Sequence, residues 1–311
     1  MRITSNMMMN NYLNTLSSNL ASMTEYQKQS ASGKRIDSLS DDPVGLISIM
    51  SSNVKLAQNS DYGDSLDSAL AWLKQTDTSA YQLNQLAQSA YETLIQVTND
   101  SYTGGDKAAA AEYIGQLRDQ ALTIANAQSS DKYIFGGYNV NNPPFTVDAS
   151  GNVLYNGLDL TDASNADLIA KGTQSIKYEI GPGITMGISI TGTELMGTGD
   201  SNLYTTLDDL YKALKSDANA DELGGYITKL QNGQSRALSV ESKVGGMINR
   251  LELMQNRYEE ETLDIKELKS NVEDVDIAEA YMNYSMAKTV YDAALKIGTQ
   301  IIQNTVLDYL K

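Results

Sequence analysis

The chain of 311 residues carries 23 basic against 39 acidic side chains, a net charge of −16 at pH 7 that repels phosphate backbones and anionic membrane surfaces and disfavours nucleic-acid binding. It has neither cysteine nor histidine, so disulfides, thiolate or imidazole metal sites, cysteine nucleophiles and histidine-based triads are excluded. No apolar run approaches the roughly 18–20 residues of a membrane span, and the three consecutive methionines Met7 to Met9 are flanked by three asparagines, so neither membrane insertion nor a cleaved signal peptide is expected.

At the N-terminal end, Met9, Leu13, Leu16, Leu20 and Met23 advance in alternating steps of four and three, a narrow stripe on an otherwise polar helix. The segment Ser30 to Pro43 breaks this period. Gly33 suits a helix C-terminus, with Lys34 and Arg35 beside its negative dipole end, and Asp41 or Asp42 suits the N-cap of a second helix starting at Pro43. An irregularity is expected at Asp61-Tyr-Gly-Asp64. Beyond it Leu66, Leu70, Leu73, Ala80, Leu83, Ala87, Ala90, Leu94 and Val97 keep a helical period. A turn is expected at residues 100–105, then a helix over about 107–128 with Ile114, Leu117, Ala121 and Ile124 on one side.

The texture changes at Asp131. Tyr133-Ile-Phe135 reads as a short β run, and Thr146-Val147 and Val153-Leu-Tyr155 flank Asp148 to Asn152 as a hairpin. Ser175 to Ile180 and Ile184 to Ile190 flank Gly181-Pro-Gly183 as another, with β character expected as far as about Gly199. Helix returns near Asn202, where Leu203, Leu207, Leu210 and Leu214 share a face. Alternating three- and four-residue steps from Leu230 to Val275 meet apolar residues at twelve of fourteen positions, which predicts a long helix packed lengthwise against others. At residues 270–276 the stripe changes phase. Ile277, Tyr281, Tyr284, Tyr291, Leu295, Ile302 and Tyr309 then continue to the end.

The predicted fold is therefore mainly α with a β insert: a long antiparallel helical bundle, a terminal coiled coil formed by both chain ends, and a small β domain mid-sequence. The expected domains are 1–40 plus 273–311, 41–132 plus 202–272, and 133–201. The joints carry Gly33, Arg35, Asp41, Asp42, Pro43, Glu273, Asp274 and Asp276. The terminal stripes are candidate assembly surfaces. Five strong apolar residues on the first helix are too few to hold a partner helix of roughly 35 residues, whose ordering costs on the order of 35–70 kcal/mol of backbone entropy. The ends are thus expected to be loose until neighbouring copies cover them.

Catalytic chemistry finds no footing. The acidic clusters Glu259-Glu-Glu261, Asp41-Asp42 and Asp208-Asp209 consist of sequence neighbours, which point about 100° apart on a helix and so do not form paired acid–base carboxylates. Asp148 to Asn152 lacks the glutamate that completes a calcium loop, and Gly181 to Gly187 lacks the helix of a phosphate loop. Neither an enzyme activity nor a cofactor or metal is expected.

Gln29-Ser-Ala-Ser-Gly-Lys-Arg-Ile-Asp-Ser-Leu-Ser-Asp-Asp-Pro-Val-Gly45 resembles a segment of the bacterial flagellin superfamily, and Ser270-Asn-Val-Glu-Asp-Val-Asp-Ile-Ala-Glu-Ala280 resembles its C-terminal partner motif. Met1-Arg-Ile-Thr4 is similar to the family's start. Tyr133-Ile-Phe-Gly-Gly137 with Pro144-Phe145, and the ending Tyr291 to Leu310, are more similar to hook–filament junction members than to filament flagellins, although Val306 stands where leucine is common. The resemblance implies an extracellular structural protein of the flagellum, exported unfolded and without a cleaved signal. Its implied partners are copies of itself in a tubular wall, the other junction protein, flagellin, an export chaperone and the export apparatus. Filament flagellin, or a surface enzyme or adhesin acting through the β insert, are the alternatives.

Overall fold

The computed structural model describes residues 2–98, 104–148, 151–160, 162, 165, 176–216 and 218–307, with side chains omitted for residues 2–6, 104, 220–221 and 300–307. Among the described residues helices dominate: α1 (Arg2–Ser32), α2 (Pro43–Thr98), α3 (Gly104–Ala125), α4 (Gly192–Met196), α5 (Leu203–Lys215), α6 (Ala220–Glu273) and α7 (Ile277–Leu307). Among the described residues, seven short strands lie between α3 and α4. The chain divides into two compact units, residues 1–59 with 260–311, and residues 60–259.

The helix ends obey their local chemistry. Gly33 takes φ +70°, and its amide donates back to the Gln29 carbonyl, which closes α1 in the left-handed conformation that glycine adopts without strain. Asp42 caps α2, its Oδ1 accepting from the amides of Val44 and Gly45 at 3.1 and 3.0 Å. Asp276 caps α7 in the same way, accepting from Ala278 and Glu279. Asp41 does something else. Its Oδ2 accepts from the amides of Asp37 and Ser38, so it folds the loop before α2 rather than the helix itself.

No irregularity interrupts α2 at Asp61-Tyr-Gly-Asp64. Gly63 sits in open space, and the buried Leu66, Leu70 and Leu73 that follow hold the helix through a position costing about 1 kcal/mol in propensity. In the unit of residues 60–259, the expected stripes face inward. Leu83, Leu94, Ile114, Leu207, Leu210, Leu230, Val244 and Leu251 are fully buried, at roughly 1.5–3 kcal/mol each. Asn202 caps α5, accepting from Tyr204 and donating Nδ2 to the Gly197 carbonyl. Arg118 on α3 pairs with Asp208 on α5 at 2.7 Å and lies over the Tyr211 ring.

Among the described residues the β material forms three small antiparallel sheets. The first pairs β1 (Gln128–Ser129) with β2 (Lys132–Tyr133). The second is ordered β3 (Phe145–Val147), β4 (Val153–Tyr155), β5 (Leu158–Asp159), and the third pairs β6 (Lys177–Gly181) with β7 (Ile184–Gly187). The turn Ser130-Asp131 adopts positive φ at both residues, as does Asn156-Gly157, which is the mirror-image turn geometry that matches strand twist.

Sequence patterning overestimated the strands here. Tyr133 ends β2, whereas Ile134 and Phe135 are core residues outside any strand. The supposed β run toward Gly199 contains α4, capped by the Thr191 hydroxyl. Ser175, Ala149 and Ser150, and the turn at 100–103, lie outside the described residues. The insert is tied down by tyrosines: Tyr155 Oη donates to the Phe135 carbonyl at 2.8 Å, and Tyr258 Oη on α6 donates to the Ile180 carbonyl at 3.0 Å.

Candidate assembly surface and joint

Within the unit formed by the chain ends, α1 and α7 run antiparallel along their length. One end is marked by the Tyr12 hydroxyl donating to the Ala294 carbonyl at 3.1 Å, the other by the bridge between Lys34 and Asp274. The seam pairs large residues with small ones. On α1, Met9, Tyr12, Leu16, Met23 and Tyr26 are half-buried; on α7, Ala280 and Gly298 are buried, and Tyr284, Ala287, Tyr291 and Ala294 half-buried. Alanine and glycine at this repeat let the helix backbones approach closely, while the tyrosines fill the space above them.

The stripes expected from sequence are split by this arrangement. Met9, Leu16, Met23, Tyr284 and Tyr291 enter the seam, whereas Leu13, Leu20, Ile277, Tyr281 and Leu295 stay exposed. At roughly 100° per residue in an antiparallel pair, the exposed residues of both helices fall on one common flank. Ile302 and Tyr309 lie outside the residues whose side chains are described. A second flank, absent from the sequence-based expectation, carries Met282, Met286, Val290 and Ile297, all exposed on the opposite side of α7. Their steps of four, four and seven follow a helical row that a search restricted to alternating threes and fours passes over.

Charge distribution sharpens the contrast. Over its described length α1 carries only Arg2, Glu25 and Lys28, and α7 only Glu279, Lys288, Asp292 and Lys296. The pair is close to neutral in a chain of net charge −16. Copies brought together through these helices therefore meet little mutual repulsion from them.

The joint segments clasp one another. The amides of Arg35 and Ile36 both donate to the Glu273 carbonyl, and that of Val275 donates to the Gly33 carbonyl at 3.0 Å. Lys34 Nζ meets Glu273 Oε1 at 2.5 Å, with Lys269 on the other carboxylate oxygen at 3.4 Å. Arg35 follows the C-terminus of α1 but bonds elsewhere. Its guanidinium donates to the Val272 carbonyl at 2.9 Å, satisfying the C-terminal end of α6. Glu273 is only 7% exposed, and the Lys34 ammonium holds its carboxyl below the usual carboxylate range against the opposing effect of burial. Lys34 is correspondingly raised by Glu273. Asp41 is lowered by the Ser38 hydroxyl and the amides of Asp37 and Ser38.

Beside the clasp, Ile36 is buried against the start of α2. A Cβ at Gly45 would lie 2.5 Å from Ile36 Cδ1 and 2.7 Å from Asp42 Oδ2, so only glycine leaves room for both. Pro43 begins α2, where its missing amide is no loss. Among the described residues no group of three or more carboxylates converges as a metal site, and no helix is long and apolar enough to cross a membrane.

The two helical ends have counterparts in known proteins. Residues 3–140 match the bacterial flagellin N-terminal helical region, and residues 227–310 match the bacterial flagellin C-terminal helical region. The chain belongs to the bacterial flagellin family. Among its relatives, flagellar hook-associated protein 3 of Escherichia coli is 25% identical over 97% of both chains, and a flagellin of Listeria innocua is 24% identical over 93% of this chain and 91% of its own. The crystal structure of the flagellar junction protein FlgL from Legionella pneumophila superposes with a TM-score of 0.58 at 14% identity, over 74% of this chain and all of that one. The helical ends of this chain thus match the family's two terminal regions, and its fold is shared with that solved structure.

Proposed function

We propose that this chain is a structural subunit of the bacterial flagellum that joins the hook region to the filament by polymerising through its terminal helices. One observation carries the proposal: the α1–α7 pair is nearly uncharged and leaves apolar side chains open on two flanks. Met9, Leu13, Leu16, Leu20, Met23, Ile277, Tyr281, Tyr284, Tyr291, Leu295, Ile302 and Tyr309 would form or support the assembly contacts, with Met282, Met286, Val290 and Ile297 as a further face. The similarity to hook-associated protein 3 along 97% of both chains supports the junction position rather than the filament itself. The role is mechanical and needs no catalysis or cofactor.

The neighbours in this proposal are further copies of the chain, a second junction protein on the hook side and flagellin on the other. Export proceeds through the flagellar apparatus without a cleaved signal, with a chaperone over the exposed face of α7. The clasp of Gly33, Lys34, Arg35 and Ile36 with Glu273, Asp274 and Val275 makes the two joints one element, so Asp42-Pro43 and Asp276 set how each following helix departs. Deleting the gene and restoring it tests the role. Cells lacking the protein should build hooks, shed flagellin and fail to swim, and the restored gene should recover attached filaments. Normal filaments in the deletion strain would overturn the junction role. Long filaments formed by the purified chain alone would instead make it a filament flagellin.

A further inference from the structure

Gly298 stands inside an unbroken helix, where glycine is the least favourable residue apart from proline. Among the other glycines of the long helices, Gly63, Gly224, Gly225, Gly245 and Gly246 have nothing near the place a Cβ would occupy, whereas Gly45, Gly115 and Gly233 each face a side chain. Gly298 belongs with the latter and is the most crowded of them. A Cβ there would meet the Tyr12 ring, 3.0 Å from Cε1 and closer still to Cζ and Oη. The same phenol donates its hydrogen bond to the Ala294 carbonyl, one turn earlier on α7. The tyrosine is thus seated in a gap that only a residue without a side chain provides, and it bonds to the backbone beside that gap.

We propose that Tyr12 and Gly298 form a notch fastening the far end of the α1–α7 pair, as the Lys34–Glu273 clasp fastens the near end. Two fixed points, separated by most of the length of both helices, hold the pair as one body in the free chain, in place of the looseness expected from its apolar stripe alone. They keep Leu13 and Leu20 on the same flank as Ile277, Tyr281 and Leu295. The consequence for polymerisation rests on the assembly role proposed above; the notch itself is a property of the isolated chain. Tyr12 and Gly298 are positioning residues, acting through the flanks they align.

The chain's lack of cysteine makes the test direct, because Asn10→Cys and Lys296→Cys, both exposed and near this end, accept spin labels with no background. In the dilute full-length chain, the labelled parent should give one narrow interlabel distance. Gly298→Ala should broaden it, because the new methyl expels the phenol, and adding Tyr12→Leu should narrow it again by making room. Helix propensity alone predicts the reverse for Gly298→Ala, since alanine is the stronger helix former. A broad distribution in the parent, an unchanged one in Gly298→Ala, or no recovery in the double variant would each overturn the notch. Attachment of filaments in cells carrying the same variants reports separately on assembly. A narrow distance that follows the prediction, with filament attachment unaffected in all variants, would leave the notch standing and refute its link to polymerisation.

Discussion

Replacing Met282 and Met286 by alanine together separates an assembly face from an ordinary stretch of exposed helix. Met286 is 61% exposed in the free chain and Met282 59%. Since full burial of a methionine side chain contributes roughly 1.5–3 kcal/mol, the part still open to a neighbour corresponds to about 1–2 kcal/mol at each position. Alanine keeps a fraction of that, so the double change should weaken each subunit contact by about 1.5–3 kcal/mol, or about ten- to a hundredfold in the concentration needed for assembly. The free chain should respond oppositely: exposed positions usually change stability by less than about 0.5 kcal/mol, and alanine is the better helix former. Half-saturation of purified hooks carrying the second junction protein by labelled chain measures the first effect, and thermal unfolding followed by circular dichroism measures the second. Saturation at the parent's concentration, or a lowered melting temperature in the free chain, would refute the reasoning. In the latter case the methionines would be supporting the monomer rather than waiting for a neighbour.

Other consequences follow from the clasp, the caps and the β insert. Glu273 is lowered from its ordinary 4.5, so its contribution is present above that pH and declines as the pH falls through the depressed value; Lys34, raised above 10.5, contributes below that pH and loses its share as the pH rises through the raised value. The clasp should therefore hold from about pH 4.5 to 10.5 and loosen outside that window. Amide hydrogen exchange at Arg35 and Val275 would show it, and Glu273→Gln should abolish the acid-side change. Asp42→Ala and Asp276→Ala each remove an N-cap and should cost about 1 kcal/mol, read by chemical denaturation, with no such loss for nearby exposed Asp37→Ala. Gly192→Ala places a Cβ 2.5 Å from Phe145 Cε2 and 2.7 Å from Tyr155 Cε2, both rings buried. It should destabilise the unit of residues 60–259 by about 1–3 kcal/mol, seen as a lower melting temperature with α1 and α7 unaffected.

Much of this protein was legible because its helices are long and their ends chemically explicit. The stripe from Leu230 to Tyr258, the Gly33 terminus, and a cap on α2 at Asp41 or Asp42 all depend on near neighbours in sequence, and the structure realises each of them, with Asp42 as the cap. The β region was less legible. Strands of two to five residues give alternation too little length to register, and Ile134 and Phe135 are buried by tertiary contact rather than by pairing.

The primary sequence by itself settled the helical nature of both ends, their breaks near residues 33 and 274, and the absence of thiol and imidazole chemistry. Each follows from local backbone preference or from composition, which require no partner. Tertiary structure decided which face of each end is spent on the other. A periodic stripe identifies an apolar side of a helix but cannot divide it between an internal neighbour and an external one. That division came from where close approach is possible: Ala280, Ala294 and Gly298 admit α1, leaving Ile277, Tyr281 and Leu295 on one flank and the two methionines on the other. Arg35 makes the same point at the joint. Its charge is evident in sequence, but the carbonyl it satisfies, at Val272, belongs to a helix 237 residues further along.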